Sequence, residues 1–116
     1  IQGTGKETRS FIFIDDFVTG LKTILRHGRH LEVYNIGTTE EVSVKKVAFL
    51  VGKFFGRKIQ IVPGKKHEGG TSRRVPDISK ITKFGFVPKY SFTQGLQITA
   101  GWYNENAHKK PPALII

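Results

Sequence analysis

The sequence predicts a small α/β domain, and three observations carry that prediction. Short runs rich in β-branched and aromatic residues alternate with stretches whose apolar residues recur at helical spacing. Glycines and a Pro-Gly pair punctuate the ends of these runs. The chain has 116 residues and 38% hydrophobic content, enough for one domain around one core. The expected order is strand, helix, strand, helix, strand, loop, short helix, helix. That makes a three-stranded sheet with two to four helices, with no internal repeat.

Residues Ile1 to Glu7 are polar and contain glycine, so they read as a loop. Ser10 to Ile14 reads as the first strand. Asp15 and Asp16 follow, and either suits the N-cap of a helix from about Asp16 to His27. Phe17, Val18, Leu21, Ile24 and Leu25 form its apolar stripe, Arg26 and His27 suit its negative end, and Gly28 stops it. Leu31 to Ile36 is the second expected strand. Ser43 then caps the clearest amphipathic helix of the chain, marked by Val44, Val47, Ala48, Val51, Phe54 and Phe55 and ended by Gly56. Lys58 to Val62 is the third expected strand, stopped by Pro63-Gly64.

Gly64 to Val75 is a glycine-containing charged loop of about a dozen residues, a length typical of functional or disordered loops. Asp77 can cap a short helix over Ile78 to Phe84, ended by Gly85. Phe86-Val87-Pro88 is an extended connection. Ser91 and Gln94 form a capping box for a last helix carrying Phe92, Leu96, Ala100 and Tyr103. His108 to Ile116, with Pro111-Pro112, is expected to be an extended tail with an apolar end.

The net charge of +10 favours anionic partners: nucleic acid, nucleotides, phosphates or an acidic membrane surface. No apolar run approaches the length of a membrane span, and no signal-peptide pattern is present. The chain has no cysteine, which excludes disulfides and thiolate metal sites and fits a reducing compartment, so a cytoplasmic location is expected. It also has no methionine, even at position 1, which suggests the interior of a longer protein.

Most candidate chemistry fails on spacing. Gly3-Thr4-Gly5-Lys6 lacks the glycine spacing and the Lys-Ser/Thr ending of a phosphate-binding loop, and Gly-x-Gly-x-x-Gly is absent. His27, His30, His67 and His108 have no metal-ligand spacing. Asp15 and Asp16 are adjacent, so their side chains diverge and capping accounts for them better than acid–base work. Tyr34, Tyr90 and Tyr103 lack a lysine at helical spacing. No nucleophile elbow or triad is visible, which argues against a self-sufficient active site.

Arginine offers more. Arg9 sits at the entry of the first expected strand, where backbone rigidity suits a fixed planar anion, although a plain surface arginine fits the local sequence too. Arg73 and Arg74 follow Gly69-Gly70-Thr71-Ser72 and precede Pro76-Asp77. Flexible residues permit close approach, and the guanidinium groups offer bidentate donors to phosphate. With Arg9 they would form a two-sided diphosphate clamp; the alternative is a mobile basic loop.

Several segments together resemble one family. Gly3 to Asp16 resembles the stretch opening the C-terminal part of NAD-dependent nucleotide-sugar epimerases and dehydratases, which are extended short-chain dehydrogenases. Tyr34-Asn35-Ile36-Gly37, Arg73 to Lys80, Phe84 to Pro88 and Ser91 to Trp102 resemble the family's later motifs in order and spacing. The resemblance covers about residues 3 to 105. It implies a substrate-binding C-terminal lobe over residues 1–107, with 108–116 as a tail. It assigns Arg9 and one of Arg73 or Arg74 to the diphosphate of a UDP-, GDP- or dTDP-sugar. Phe13 stands where relatives often carry Tyr or His. The N-terminal Rossmann part, which holds NAD and the catalytic Tyr-x-x-x-Lys pair, has no counterpart here. The implied fragment therefore has no catalytic or cofactor-binding residue of its own, and its partners are the nucleotide-diphosphate sugar and the missing Rossmann domain.

Two other readings compete. A small basic nucleic-acid-binding module would use the positive charge. Against it, Phe49, Phe54, Phe55 and Trp102 are expected on helical core faces rather than on a stacking platform. A folded interaction domain without a ligand is the third.

Overall fold

A computed structural model describes residues 1–65 and 68–108. Along the chain lie β1 (Thr8–Arg9), α1 (Ile14–His27), β2 (Val42–Ser43), α2 (Val44–Phe54), β3 (Arg73–Arg74), α3 (Ser79–Thr82) and α4 (Phe92–Asn106). The expected alternation of strands and helices is present. The expected extended tail beyond His108 lies outside the described residues.

The sheet has the order β2-β1-β3. β1 runs antiparallel to β2, pairing Thr8 with Ser43 and Arg9 with Val42. It runs parallel to β3, pairing Thr8 with Arg73 and Arg9 with Arg74. Each strand is only two residues long. None of the three runs chosen for strand propensity forms this ladder. The first strand ends before Ser10, although the Ser10 N–H still reaches the Arg74 carbonyl at 3.2 Å. Leu31 to Ile36 and Lys58 to Val62 have no ladder partner among the described residues. Propensity records which side chains suit a pleated surface, whereas a strand exists only where a second backbone lies alongside.

Helix signals fare better because their hydrogen bonds are local. The Ser43 hydroxyl accepts from the Lys46 N–H at 3.2 Å, as its capping role requires. α2 closes on Gly56, whose φ of 62° permits two bonds back to the last turn, from Gly56 N–H to Lys53 O and from Arg57 N–H to Gly52 O. Ser91 and Gln94 form the reciprocal capping box of α4. The helix after Asp77 is shorter than expected, Ser79–Thr82, with the Asp77 carboxylate accepting from the Ser79 N–H at 2.9 Å.

The start of α1 is a correction. Phe13 is its N-cap, with no side-chain bond, and Asp15 and Asp16 lie inside the first turn. Asp16 is buried, 2% exposed. Its carboxylate accepts the backbone N–H of Lys89 at 3.0 Å and of Tyr90 at 2.9 Å, tying α1 to the segment that enters α4.

The core is small. Ile78, Ile81 and Phe86 are buried together, with Ile12, Ile24 and Ile36 packed against them. Of the expected α1 stripe, only Ile24 joins this cluster. Phe17, Val18, Leu21 and Leu25 are exposed, Leu25 to 78%, as are Leu31 at 90% and Val33 at 77% on the segment that follows. Phe49, Phe54, Phe55 and Trp102 are exposed as well. That overturns their expected place on core faces, and with it the objection raised on that ground to a nucleic-acid-binding module.

Candidate functional site

The three arginines singled out in the sequence meet in the sheet. Arg9 is in the central strand β1 and Arg74 is its register partner in β3. Paired residues of neighbouring strands project from the same face, so Arg9 and Arg74 leave the ladder side by side. Arg73 pairs with Thr8 and leaves the opposite face. There its Nε donates to Glu41 at 3.0 Å.

Arg9 is half-buried, and two carbonyls orient its guanidinium. Nη1 donates to Thr8 O at 2.7 Å and Nη2 to Thr71 O at 3.1 Å. An arginine has five N–H donors, so donors remain for an anion. Arg74 is exposed and forms no ion pair among the described residues. Arg9 also lines a concavity of about 420 Å³, walled by Gly3, Glu7, Val44, Gly70 and Thr71. The glycine-containing loop before β3 thus borders the same concavity as the loop before β1.

The Gly3–Glu7 loop explains why Gly3-Thr4-Gly5-Lys6 is not a phosphate loop. Gly3 and Gly5 have φ of 79° and 82°. Thr4 N–H and Gly5 N–H point at the carboxylate of Glu7, at 3.1 Å and 2.8 Å. The chain's own carboxylate therefore fills the nest that an anion would need. These bonds lower the Glu7 pKa to about 2, the Thr4 backbone N–H contributing most. The residues present do not fit NAD either, because no helix begins at this loop and its N–H groups are taken.

A second concavity of about 280 Å³ lies between Phe11, Phe13, Val47, Phe92 and Leu96. No charged side chain lines it, so it offers nothing to a diphosphate.

The other motif residues are supports. The Asn35 side-chain amide donates to Asp77 O at 2.9 Å, and Gly37 lies so close to Pro76 that a Cβ there would stand 2.4 Å from its Cγ. The turn after Tyr34 therefore seats the chain immediately after Arg73-Arg74. The Lys80 ammonium donates to Glu32 at 2.6 Å and to Val33 O at 3.3 Å, and it lies 5.8 Å from the Tyr34 ring centre. Helical spacing along the chain gave no lysine near Tyr34; tertiary folding supplies one. Sequence reasoning also missed Glu41, for which an acidic pair in a polar turn is no signal, and Glu40, which accepts the Phe92 N–H at 2.6 Å. Among the described residues no cluster of His, Asp and Glu is arranged for a metal, and no helix is long and apolar enough to cross a membrane.

Comparison with known proteins places this arrangement in context. The profile of the NAD dependent epimerase/dehydratase family matches residues 1–37. The chain is 35% identical over 106 residues to probable GDP-L-fucose synthase 1 of Oryza sativa subsp. japonica, covering 91% of this chain and 32% of that protein. It is 31% identical over 122 residues to dTDP-D-glucose 4,6-dehydratase of Bos taurus, covering 93% and 32%. Its fold superposes on UDP-glucose 4-epimerase of Thermotoga maritima, solved with UDP-glucose, with TM-score 0.84 and 26% identity over 93% of this chain and 35% of that one. The dTDP-glucose 4,6-dehydratase of Streptomyces venezuelae, solved with NAD bound, gives TM-score 0.82 and 29% identity over 90% and 33%. The chain thus spans about a third of the length of these relatives. By sequence and by fold, the chain is similar to about a third of the length of enzymes of the NAD-dependent epimerase/dehydratase family.

Proposed function

We propose that residues 1–107 are the C-terminal, nucleotide-diphosphate-sugar-binding lobe of a longer NAD-dependent epimerase, dehydratase or decarboxylase, with 108–116 as its tail. The observation that carries this reading is the parallel register that sets Arg9 beside Arg74, next to the concavity bordered by Thr71. Two guanidinium groups on one face suit the two phosphates of a nucleotide sugar, and each charge-assisted hydrogen bond contributes about 1.5–3 kcal/mol. The relatives named above carry GDP-, UDP- or dTDP-linked sugars in their names. Of the two adjacent arginines, this reading takes Arg74 for the substrate and gives Arg73 to Glu41. Hydride chemistry would come with NAD, held by residues outside this chain. This chain's part is to bind and orient the substrate.

The same reading assigns the exposed outer face of α1, with Leu31 and Val33 beside it, to the Rossmann domain of the parent. Apolar side chains on one helix face, next to an extended segment without a ladder partner, suit cover by another layer of the same enzyme. A cytoplasmic setting belongs to the reading and rests on a chain without cysteine.

The test is calorimetric titration of the full-length enzyme with UDP-, GDP- and dTDP-sugars, in wild type and in Arg9→Ala and Arg74→Ala. Each substitution is expected to weaken the preferred nucleotide sugar by about 10- to 100-fold, from the loss of one or two charged hydrogen bonds. Unchanged affinity in both variants would overturn the assignment. The exposed Phe54, Phe55 and Trp102 favour nucleic acid as a second reading. It predicts oligonucleotide binding that falls steeply with salt, whereas a single diphosphate gives a shallow dependence.

A further inference from the structure

Arg73 and Arg74 are chemically identical neighbours, yet they leave opposite faces of the sheet. A shift of one residue in the β1–β3 pairing would set Arg73 beside Arg9 and send Arg74 to the other side. Two-residue strands resist such a slip weakly, because so few backbone bonds specify the register. Something must choose between the two arginines.

Glu41 is placed to do so. It precedes β2 by one residue, on the face of the sheet shared by Ser43, Thr8 and Arg73. One carboxylate oxygen accepts the Thr8 hydroxyl of β1. The other accepts Nε of Arg73 in β3 at 3.0 Å. A single side chain attached next to β2 therefore ties the other two strands at one rung, Thr8 and Arg73. The next rung, Arg9 and Arg74, then falls on the opposite face.

We propose that Glu41 is a positioning residue, a clasp that selects Arg73 from one side of the ladder and so delivers Arg74 beside Arg9 on the other. The proposal rests on the reading of Arg9 and Arg74 as the diphosphate clamp. Coulomb forces alone predict the opposite sign. Removing a carboxylate near a basic anion site should tighten anion binding, and removing Arg73 should weaken it. A clasp predicts that both losses weaken binding, by a similar factor, because each breaks the same link.

The experiment uses the full-length enzyme and the nucleoside diphosphates UDP, GDP and dTDP, with affinity measured by calorimetry for whichever binds best. Glu41→Ala, Arg73→Ala and the double variant are each expected to bind about tenfold more weakly, the double no worse than either single. In an Arg74→Ala background, Glu41→Ala should have no further effect. Glu41→Gln keeps an oxygen for Thr8 and loses the ion pair; it should fall between wild type and Glu41→Ala, and it carries the test if the alanine variant does not fold by circular dichroism. Tighter or unchanged binding in Glu41→Ala or Glu41→Gln, or multiplicative losses in the double variant, overturns the clasp. If Arg9→Ala itself leaves affinity unchanged, the clamp reading fails. If Arg9→Ala weakens binding and Glu41→Gln does not, the clasp alone fails.

Discussion

Asp16 is the most consequential side chain outside the arginine pair. Its carboxylate is 2% exposed and accepts two backbone N–H groups from a segment more than seventy residues away in the chain, Lys89 at 3.0 Å and Tyr90 at 2.9 Å. Asp16→Ala removes the acceptor for both. A stranded buried donor costs about 1–3 kcal/mol, and the lower end applies to the Lys89 N–H, whose bonds to Asp16 are only partly buried. The negative charge in the first turn of α1 adds about 0.3–1 kcal/mol through the helix dipole. The sum is a loss of about 2–5 kcal/mol. Asp16→Asn keeps one oxygen acceptor and should lose about half as much. At roughly 4–8 °C per kcal/mol for a domain of about this size, Asp16→Ala should lower Tm by more than 8 °C. Urea denaturation measures the free energy, and amide hydrogen exchange at Tyr90 reports the local loss. Asp15→Ala, at an exposed carboxylate with no such partner, is the control. Equal stability of Asp16→Ala and Asp15→Ala, with Tyr90 exchange unchanged, would refute the reasoning.

Gly37→Ala places a Cβ 2.4 Å from Pro76 Cγ, so the turn and the chain after β3 must move apart. Overpacking of this kind costs about 1–3 kcal/mol, and Pro76→Ala should recover part of the loss in chemical denaturation. Glu7 has a folded-state pKa of about 2, below its ordinary 4.5. A depressed carboxyl contributes stability that is present above the unfolded value and is lost as pH falls toward the folded one. The Gly3–Glu7 loop should therefore loosen between about pH 4.5 and 2, seen by carbon NMR of the carboxyl, and Glu7→Gln should remove that step.

The legibility of the chain followed the range of the interactions. Ser43, Gly56 and the Ser91–Gln94 box act within one helical turn, so these residues announce α2 and the start of α4 correctly. The position of Asp16 suits a cap, but its oxygens serve Lys89 and Tyr90, which no local pattern can show. The apolar stripe of α1 was real as a pattern and misleading as a core. Periodicity reveals that a face is apolar and not what covers it. Arg9, Arg73 and Arg74 were visible as candidates from residue type and neighbouring glycines, while Glu41 carried no signal at all.

What the sequence determined by itself was the alternation of elements, both ends of α2 and the start of α4, the excess of positive charge and the short list of arginines. Each depends on composition or on residues a few positions apart. Only the tertiary structure decided which backbones pair, which apolar faces stay open, and that Arg74 rather than Arg73 stands beside Arg9. Strand register is a relation between distant segments, and two adjacent residues of the same type become different only when a ladder assigns them to opposite faces.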